Sequence, residues 1–389
     1  MKRHLLYNLT LSLISIFLCL LAAEAGIRIN QYFKESHRKA QDSRIDKGYE
    51  DNDMYNGKFY ANPVYEYNAA AGFIPAPSQE KYGYKINKYR LRYSDDFAKQ
   101  KPRGELRIFI TGGSAAWGYG VSQTTMYSSI LEGLLNEKSN GSKLRVISAA
   151  VNAYTSAQEV YMAENIALPL SADLIIMYTG FNDTIVGCFG RGEKLQSSVF
   201  PKEYEKEVKK ANRLIEPKYD GYNLKVLWLI DKAIYAYFKA KYKAANWGLN
   251  FTPDKEPLPI NNVTQMFLRN IRRINELSKK QGAKLIVYLQ PILCSTNKKL
   301  TDWEKSLIPQ YCSGVNNNCP DYFSKAYAEY RAVLPKDAKE QGYIFIDGDN
   351  GIKDESKSVF IDICHEGDRG NKLTALDMYK EEKMLRNLF

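Results

Sequence analysis

Histidine is nearly absent from this chain: there are three in 389 residues, His4, His37 and His365. That scarcity excludes a zinc site built on several imidazoles and leaves few candidates for a base that titrates near neutral pH. Cysteine is sparse as well, with six residues and no Cys-x-x-Cys pair, so zinc-ribbon and thioredoxin-type readings fall away. Only one apolar run is long enough to cross a bilayer, which excludes a multi-span transporter. No basic run interleaved with aromatics occurs, so nucleic acid is not an expected partner. Neither Gly-Lys at phosphate-loop spacing nor a Gly-x-Gly-x-x-Gly frame is present, and no cofactor or metal is expected.

What is present is ordinary globular material, with 44% hydrophobic and 25% charged residues. The length suits one large domain or two, and its core needs no metal or disulfide framework. Fifty-five Lys and Arg against 44 Asp and Glu leave a net charge of +11. That excess reads either as a solvated surface or as attraction to anionic polysaccharide or lipid headgroups. The 29 Tyr offer sugar-stacking surface, although Tyr is also a common strand residue.

The apolar run is Leu5 to Ala23, preceded by Lys2 and Arg3. At about 1.5 Å per residue it reaches roughly 28 Å, the thickness of a hydrocarbon core. Basic residues ahead of it keep the N-terminus in the cytoplasm and send the downstream chain across the membrane. Residues 1–25 are therefore a signal anchor, facing the domain to the periplasm, or a signal peptide cleaved after Ala25 at Ala23-Glu24-Ala25. Both place the rest of the chain outside the cytoplasm, where disulfides are permitted. Cys312 and Cys319 flank a turn-rich loop that a short bridge would close. Cys364 is expected to pair with Cys188 or Cys294.

Residues 26–104 are polar, Tyr-rich and without clear periodicity, and read as a stem and an irregular leading segment. From 105 strands alternate with helices. Apolar runs at Leu106–Ile110, Leu144–Val151, Leu174–Tyr178, Leu285–Leu289 and Tyr343–Ile346 read as strands. Helical patterns fall at Ser128–Asn136, Ser156–Leu168, Val263–Leu277, Tyr322–Leu334 and from Asn371. The alternation breaks over 187–262, an insertion with its own helix at Leu224–Tyr242, read as a lid or docking surface. The expected domain is 105–389, an α/β fold with a parallel sheet of about five strands between two helical layers.

Four features fall at the carboxyl ends of those strands, where such sheets hold their sites. Gly112-Gly113-Ser114 follows the first strand and opens a helix, exposing a hydroxyl on a sharp turn. Asn152-Ala153-Tyr154 follows the second, and Gly180-Phe181-Asn182-Asp183 the third. Asp362 precedes His365 by three residues, a spacing that brings a carboxylate to one ring nitrogen and leaves the other for a nucleophile. Asp347 and Asp349 suggest a calcium loop, but Gly351 and Ser358 stand where ligands are required.

Over residues 105–185 and 263–385 this set resembles the SGNH hydrolase superfamily, the GDSL-type esterases and lipases. The resemblance implies a three-layer, flavodoxin-like fold and a serine esterase, with Ser114, Asp362 and His365 as catalytic residues. It implies an oxyanion hole formed by Ser114, Ala153 and Asn182. Two blocks match in full, Gly180 to Asp183 and Asp362 to His365. Two depart: Gly113 stands where the family has Asp, and Ala153 where it has Gly. Gly370-Asn371 is similar to the start of the family's last helix. The expected substrate is an O-acyl ester, acetyl by family habit, on a carbohydrate. The alternatives are O-acyl transfer to an envelope polysaccharide and a non-catalytic envelope protein on the same fold.

Overall fold

The computed structural model describes residues 2–40, 62–81, 84–137, 143–192, 200, 202–215, 223–242, 256–312 and 319–380. The loop between Cys312 and Cys319 lies outside them. Five strands form the central sheet: β5 (Glu105–Gly112), β6 (Lys143–Ser148), β7 (Leu174–Thr179), β8 (Lys284–Leu289) and β9 (Ile344–Asp347). They are parallel, in the spatial order β6-β5-β7-β8-β9. All five overlap the apolar runs seen in the sequence. The second ends at Ser148, three residues early, because the chain turns there toward the site.

Alternation of side chains sorts each strand into two cores. Ile108, Ile110, Leu174, Ile176 and Tyr178 face one side, where they meet α3 (Tyr127–Glu137) and α11 (Asp368–Lys380). Phe109, Ile175, Met177, Val287 and Leu289 face the other, against α4 (Ser156–Met162), α8 (Ile260–Lys280) and α10 (Cys319–Gln341). The helix expected over Ser156–Leu168 is α-helical only to Met162 and continues as a π-type turn and a 3₁₀ turn to Leu170. The strand order reverses at β5, so its carboxyl end and that of its neighbour β7 form the crevice where doubly wound sheets bind ligands.

The leading segment is not irregular throughout. Helix α1 runs on to Ala40 (Lys2–Ala40). Two hairpins follow, β1 (Tyr65–Asn68) with β2 (Gly72–Pro75) and β3 (Gln79–Lys81) with β4 (Tyr84–Ile86). Tyr65, Phe73 and Ile74 join the core of α4 and α8, and Tyr84 and Ile86 join the other. The Arg92 N–H donates to the Ser148 carbonyl at 3.1 Å, so this segment also covers the sheet edge at β6. Strands of three or four residues are too short to show periodicity, and the sequence pattern missed them.

The 187–262 insertion contains α6 (Tyr204–Asn212) and α7 (Lys225–Tyr242). Its two ends meet, the Leu258 N–H donating to the Gly187 carbonyl at 2.9 Å. The disulfide is Cys188–Cys319, with Cα atoms 6.1 Å apart, tying the end of α5 (Phe181–Cys188) to the start of α10. Both expected pairings are thereby corrected: Cys319 is taken by Cys188 and not by Cys312, while Cys364 is a free thiol, bonded to neither Cys188 nor Cys294. Cysteine spacing along a chain does not determine which pairs meet in space.

Candidate active site

Ser114 opens α2 (Ser114–Trp117), a single turn directly after β5. Gly113 before it has no room for a side chain, since a Cβ there would lie 2.1 Å from Asn182 Nδ2. The amide of Asn182 fills the place a side chain at 113 would take. Asn182 sits in the first turn of α5, and its Nδ2 donates to the Tyr154 carbonyl at 2.7 Å. An amide nitrogen carries two hydrogens, so one stays available beside Ser114. Gly180 ahead of it has φ 121°, and a Cβ would lie 2.8 Å from Leu289.

His365 lies 251 residues beyond Ser114, yet its Nε2 is 2.6 Å from Ser114 Oγ. Its Nδ1 is 2.5 Å from Asp362 Oδ2. The other oxygen of Asp362 accepts the N–H groups of Cys364 at 2.9 Å and His365 at 2.7 Å. Burial by itself pushes the Asp362 carboxyl up. The adjacent imidazole and these hydrogen bonds outweigh burial and hold it below its ordinary value. Oγ, imidazole and carboxylate thus form one hydrogen-bonded chain, with Ser114 and His365 half-buried at the crevice rim.

Ala153 has φ 66°, the left-handed region that favours glycine. An alanine therefore holds the backbone in a glycine's conformation. Its neighbour Tyr154 holds the turn by donating its hydroxyl to the Phe73 carbonyl in the leading hairpin. The N–H of Ala153, that of Ser114 and the Asn182 amide are carried on segments that meet around Gly113.

Asp362, Cys364 and His365 place three potential ligand atoms within 4.8 Å of one another. Burial pushes the Cys364 thiol well up, so the neutral thiol is a poor ligand, and the Asp362 carboxylate is already engaged by His365 and two N–H groups. The calcium-like carboxylates are also engaged: Arg331 pairs with Asp347 at 2.7 Å, and Asn297 donates to Asp349 through backbone and side chain at 2.8 Å.

Several residues around the site went unnoticed in the sequence. Tyr119 packs its ring against His365, with centroids 4.9 Å apart. Arg92 donates to the carbonyls of Trp117 and Gly118 at 2.7 Å and of Val121 at 2.8 Å, gathering the turn behind Ser114. On α9 (Asp302–Cys312), Glu304 accepts the Val359 N–H at 2.9 Å at the root of the His365 loop, and Lys298 pairs with it at 2.7 Å. Glu159 accepts the hydroxyls of Thr111 at 2.8 Å and Thr179 at 2.6 Å, joining the last turns of β5 and β7. Burial pushes its carboxyl up to about 8, only partly offset by these hydroxyls. Asp183 accepts the Ser156 N–H at 2.9 Å and also its hydroxyl, and burial raises it to about 6. The signal for Glu159 was the Thr-Gly pair closing both strands, and Asp183 was already marked by the Gly180–Asp183 block; Arg92 and Glu304 left no such trace.

No protein-family model and no curated protein matches the chain. Among solved structures the chain is similar to hydrolases of the GDSL/SGNH type, at low identity. TesA is 12% identical with a TM-score of 0.39, covering 73% of this chain and 99% of that one. A catalytic mutant of Axe2, an acetylxylan esterase from Geobacillus stearothermophilus, is 11% identical with a TM-score of 0.40, covering 71% and 93%. A lipolytic protein of the G-D-S-L family from Desulfitobacterium hafniense is 10% identical with a TM-score of 0.35, covering 70% and 98%.

Proposed function

We propose that this chain is a serine esterase that cleaves an O-acyl ester through an acyl-enzyme on Ser114. The observation that carries the reading is the 2.6 Å contact between Ser114 Oγ and His365 Nε2, with Asp362 on the far ring nitrogen. Ser114 Oγ attacks the acyl carbonyl while His365 takes its proton. The tetrahedral intermediate collapses, the ester C–O bond breaks, and His365 delivers that proton to the leaving alcohol. Water then attacks the acyl-serine, giving one proton to His365, which returns it to Ser114 as the carboxylic acid departs. Asp362, held ionised, keeps Nδ1 protonated and stabilises the imidazolium. The oxyanion accepts from the N–H groups of Ser114 and Ala153 and from Asn182 Nδ2; losing one such donor costs about 10²–10³ in turnover.

The substrate class in this reading is an O-acetylated carbohydrate outside the cytoplasm. It is supported by the apolar span of α1, Thr10–Lys34, which has the length and apolarity to cross a membrane; in this reading it tethers the domain to the periplasmic face of the inner membrane. The test is a panel of acetyl to long-chain esters with the detergent-solubilised full chain, followed by an acetylated glycan. The reading expects turnover that falls to background in Ser114→Ala and free acetate from the glycan. Equal turnover by wild type and Ser114→Ala overturns it, and acyl groups appearing on an acceptor sugar would make the enzyme a transferase.

A further inference from the structure

Among the described residues every large hydrophobic side chain exposed to solvent lies on α1 or at 224–237, in and just before α7. On α1 they run from Tyr7 to Phe33, along and just ahead of its apolar span. On the second segment Leu229 is 47% exposed on another side of the helix, and Leu224, Leu227, Ile230, Ile234 and Tyr237 are between 48% and 60% exposed. The spacing of these five, at three, three, four and three residues, draws one stripe along a helix. The opposite face packs on the protein: Trp228 is buried, Tyr235 and Phe238 are half-buried, and Arg213 lies over the Phe238 ring at 5.0 Å. The apolar stripe therefore points away from the body of the molecule.

The same segment is fastened to α1. Arg28 donates to the Asn223 carbonyl at 2.8 Å, and Glu24 accepts the Val226 N–H at 2.7 Å. Glu24 is the first charged residue after the run from Leu5 to Ala23. With the uncharged run Leu5–Ala23 in hydrocarbon, Glu24 stands where headgroups begin and the rest of the span to Lys34 lies beyond it, so the start of α7 is fixed at that depth. Lys232, Lys239 and Lys241 lie over the rings of Trp228, Tyr235 and Tyr237, between 4.7 and 5.7 Å from their centroids. Asp231 and Lys232 at mid-helix argue against a second span, and only α1 has the length and apolarity to cross a membrane among the described residues.

We infer that α7 is an in-plane membrane helix, lying beside the exit of α1 with its Leu-Ile-Tyr stripe in the boundary between headgroups and acyl chains. The partner is the lipid bilayer. The chemistry fits: an apolar stripe for the acyl boundary, aromatic rings at the interface, and lysines for anionic headgroups. A second attachment beside the anchor removes the domain's freedom to tumble about one helix and fixes its orientation to the membrane. The inference rests on α1 being retained as an anchor and makes no use of the ester chemistry.

The test uses the full chain in phosphatidylethanolamine–phosphatidylglycerol vesicles, with Cys19, Cys294, Cys312 and Cys364 replaced by Ser. A single bimane is attached through Ile234→Cys, through Ile16→Cys on α1 or through Lys336→Cys on the body. Quenching by acyl-chain nitroxide lipids is compared with quenching by aqueous iodide. The Ile16 and Ile234 probes are expected to be quenched several-fold more by lipid, and the Lys336 probe more by iodide. A lipid-quenched Ile16 probe beside an iodide-quenched Ile234 probe overturns the inference while leaving the anchor standing. An Ile234 probe shielded from both quenchers assigns the stripe to protein contact and overturns it as well. An Ile16 probe without lipid quenching removes the anchor and the inference together. None of these outcomes bears on turnover by Ser114, which is read separately.

Discussion

Ser114 and His365 are each held from behind by a buried ion, and the two ions have opposite sign. Behind Ser114, the turn after a one-turn helix presents carbonyls, and the Arg92 guanidinium gathers three of them. Behind His365, the loop presents N–H groups, and the Glu304 carboxylate takes that of Val359. The clamps differ in how their charge is met. Glu304 is paired with Lys298, both side chains fully buried. Arg92 is met by carbonyls, by Gln123 at 3.3 Å and by the Trp117 ring at 4.2 Å, and burial pulls it down to about 9, still charged at neutral pH. A loop's orphan groups thus dictate the sign of the residue that holds it. A paired clamp is more vulnerable at its partner than at itself, because losing the partner strands a buried charge.

The sharpest way to break this comparison is Lys298→Met. It leaves the buried Glu304 without its cation and is expected to cost about 3–5 kcal/mol in urea unfolding. Adding Glu304→Gln should recover much of that loss, and a silent Lys298→Met would dismiss the paired-clamp account. Arg92→Ala strands three carbonyls without stranding a charge, so its expected cost is smaller, about 2–4 kcal/mol. Arg92→Lys should restore only part of it, since a point charge cannot reach all three acceptors.

The effect of Glu159, which joins both strand ends, is spread over pH and does not fall at a single condition. Its folded carboxyl, at about 8, keeps a proton that the unfolded chain releases near its ordinary value of 4.5. Its contribution is therefore complete below about pH 4.5 and is lost as pH rises toward 8, by up to about 1.4 kcal/mol per pH unit. Glu159→Gln should flatten that decline, which urea melts from about pH 5 to about pH 8 would read. The smallest effect is Ala153→Gly. Relief of the left-handed strain, offset by the freer unfolded chain, should stabilise the protein by about 0.5 kcal/mol.

The sheet was legible because its strands are short, continuous apolar runs bounded by Thr-Gly or charge, as buried parallel strands must be. Ser114, Asn182, Asp362 and His365 were legible because each follows a strand or carries a local motif, and because histidine is so rare here. What escaped was non-local. Arg92 acts on carbonyls at 117 to 121 from a segment without periodicity, and Glu304 acts on an N–H 55 residues away. Helix α5 is buried nearly all round, so no apolar stripe marks it. The partner of Cys188 lies 131 residues off and is a matter of topology alone.

The most direct measurement is labelling of the full chain with a fluorophosphonate, followed by peptide mapping. An activated hydroxyl beside a half-buried imidazole should accept one label, carried on Ser114, and lose it in both Ser114→Ala and His365→Ala. A folded wild-type chain that stays unlabelled, or a label found on another serine, would contradict the account.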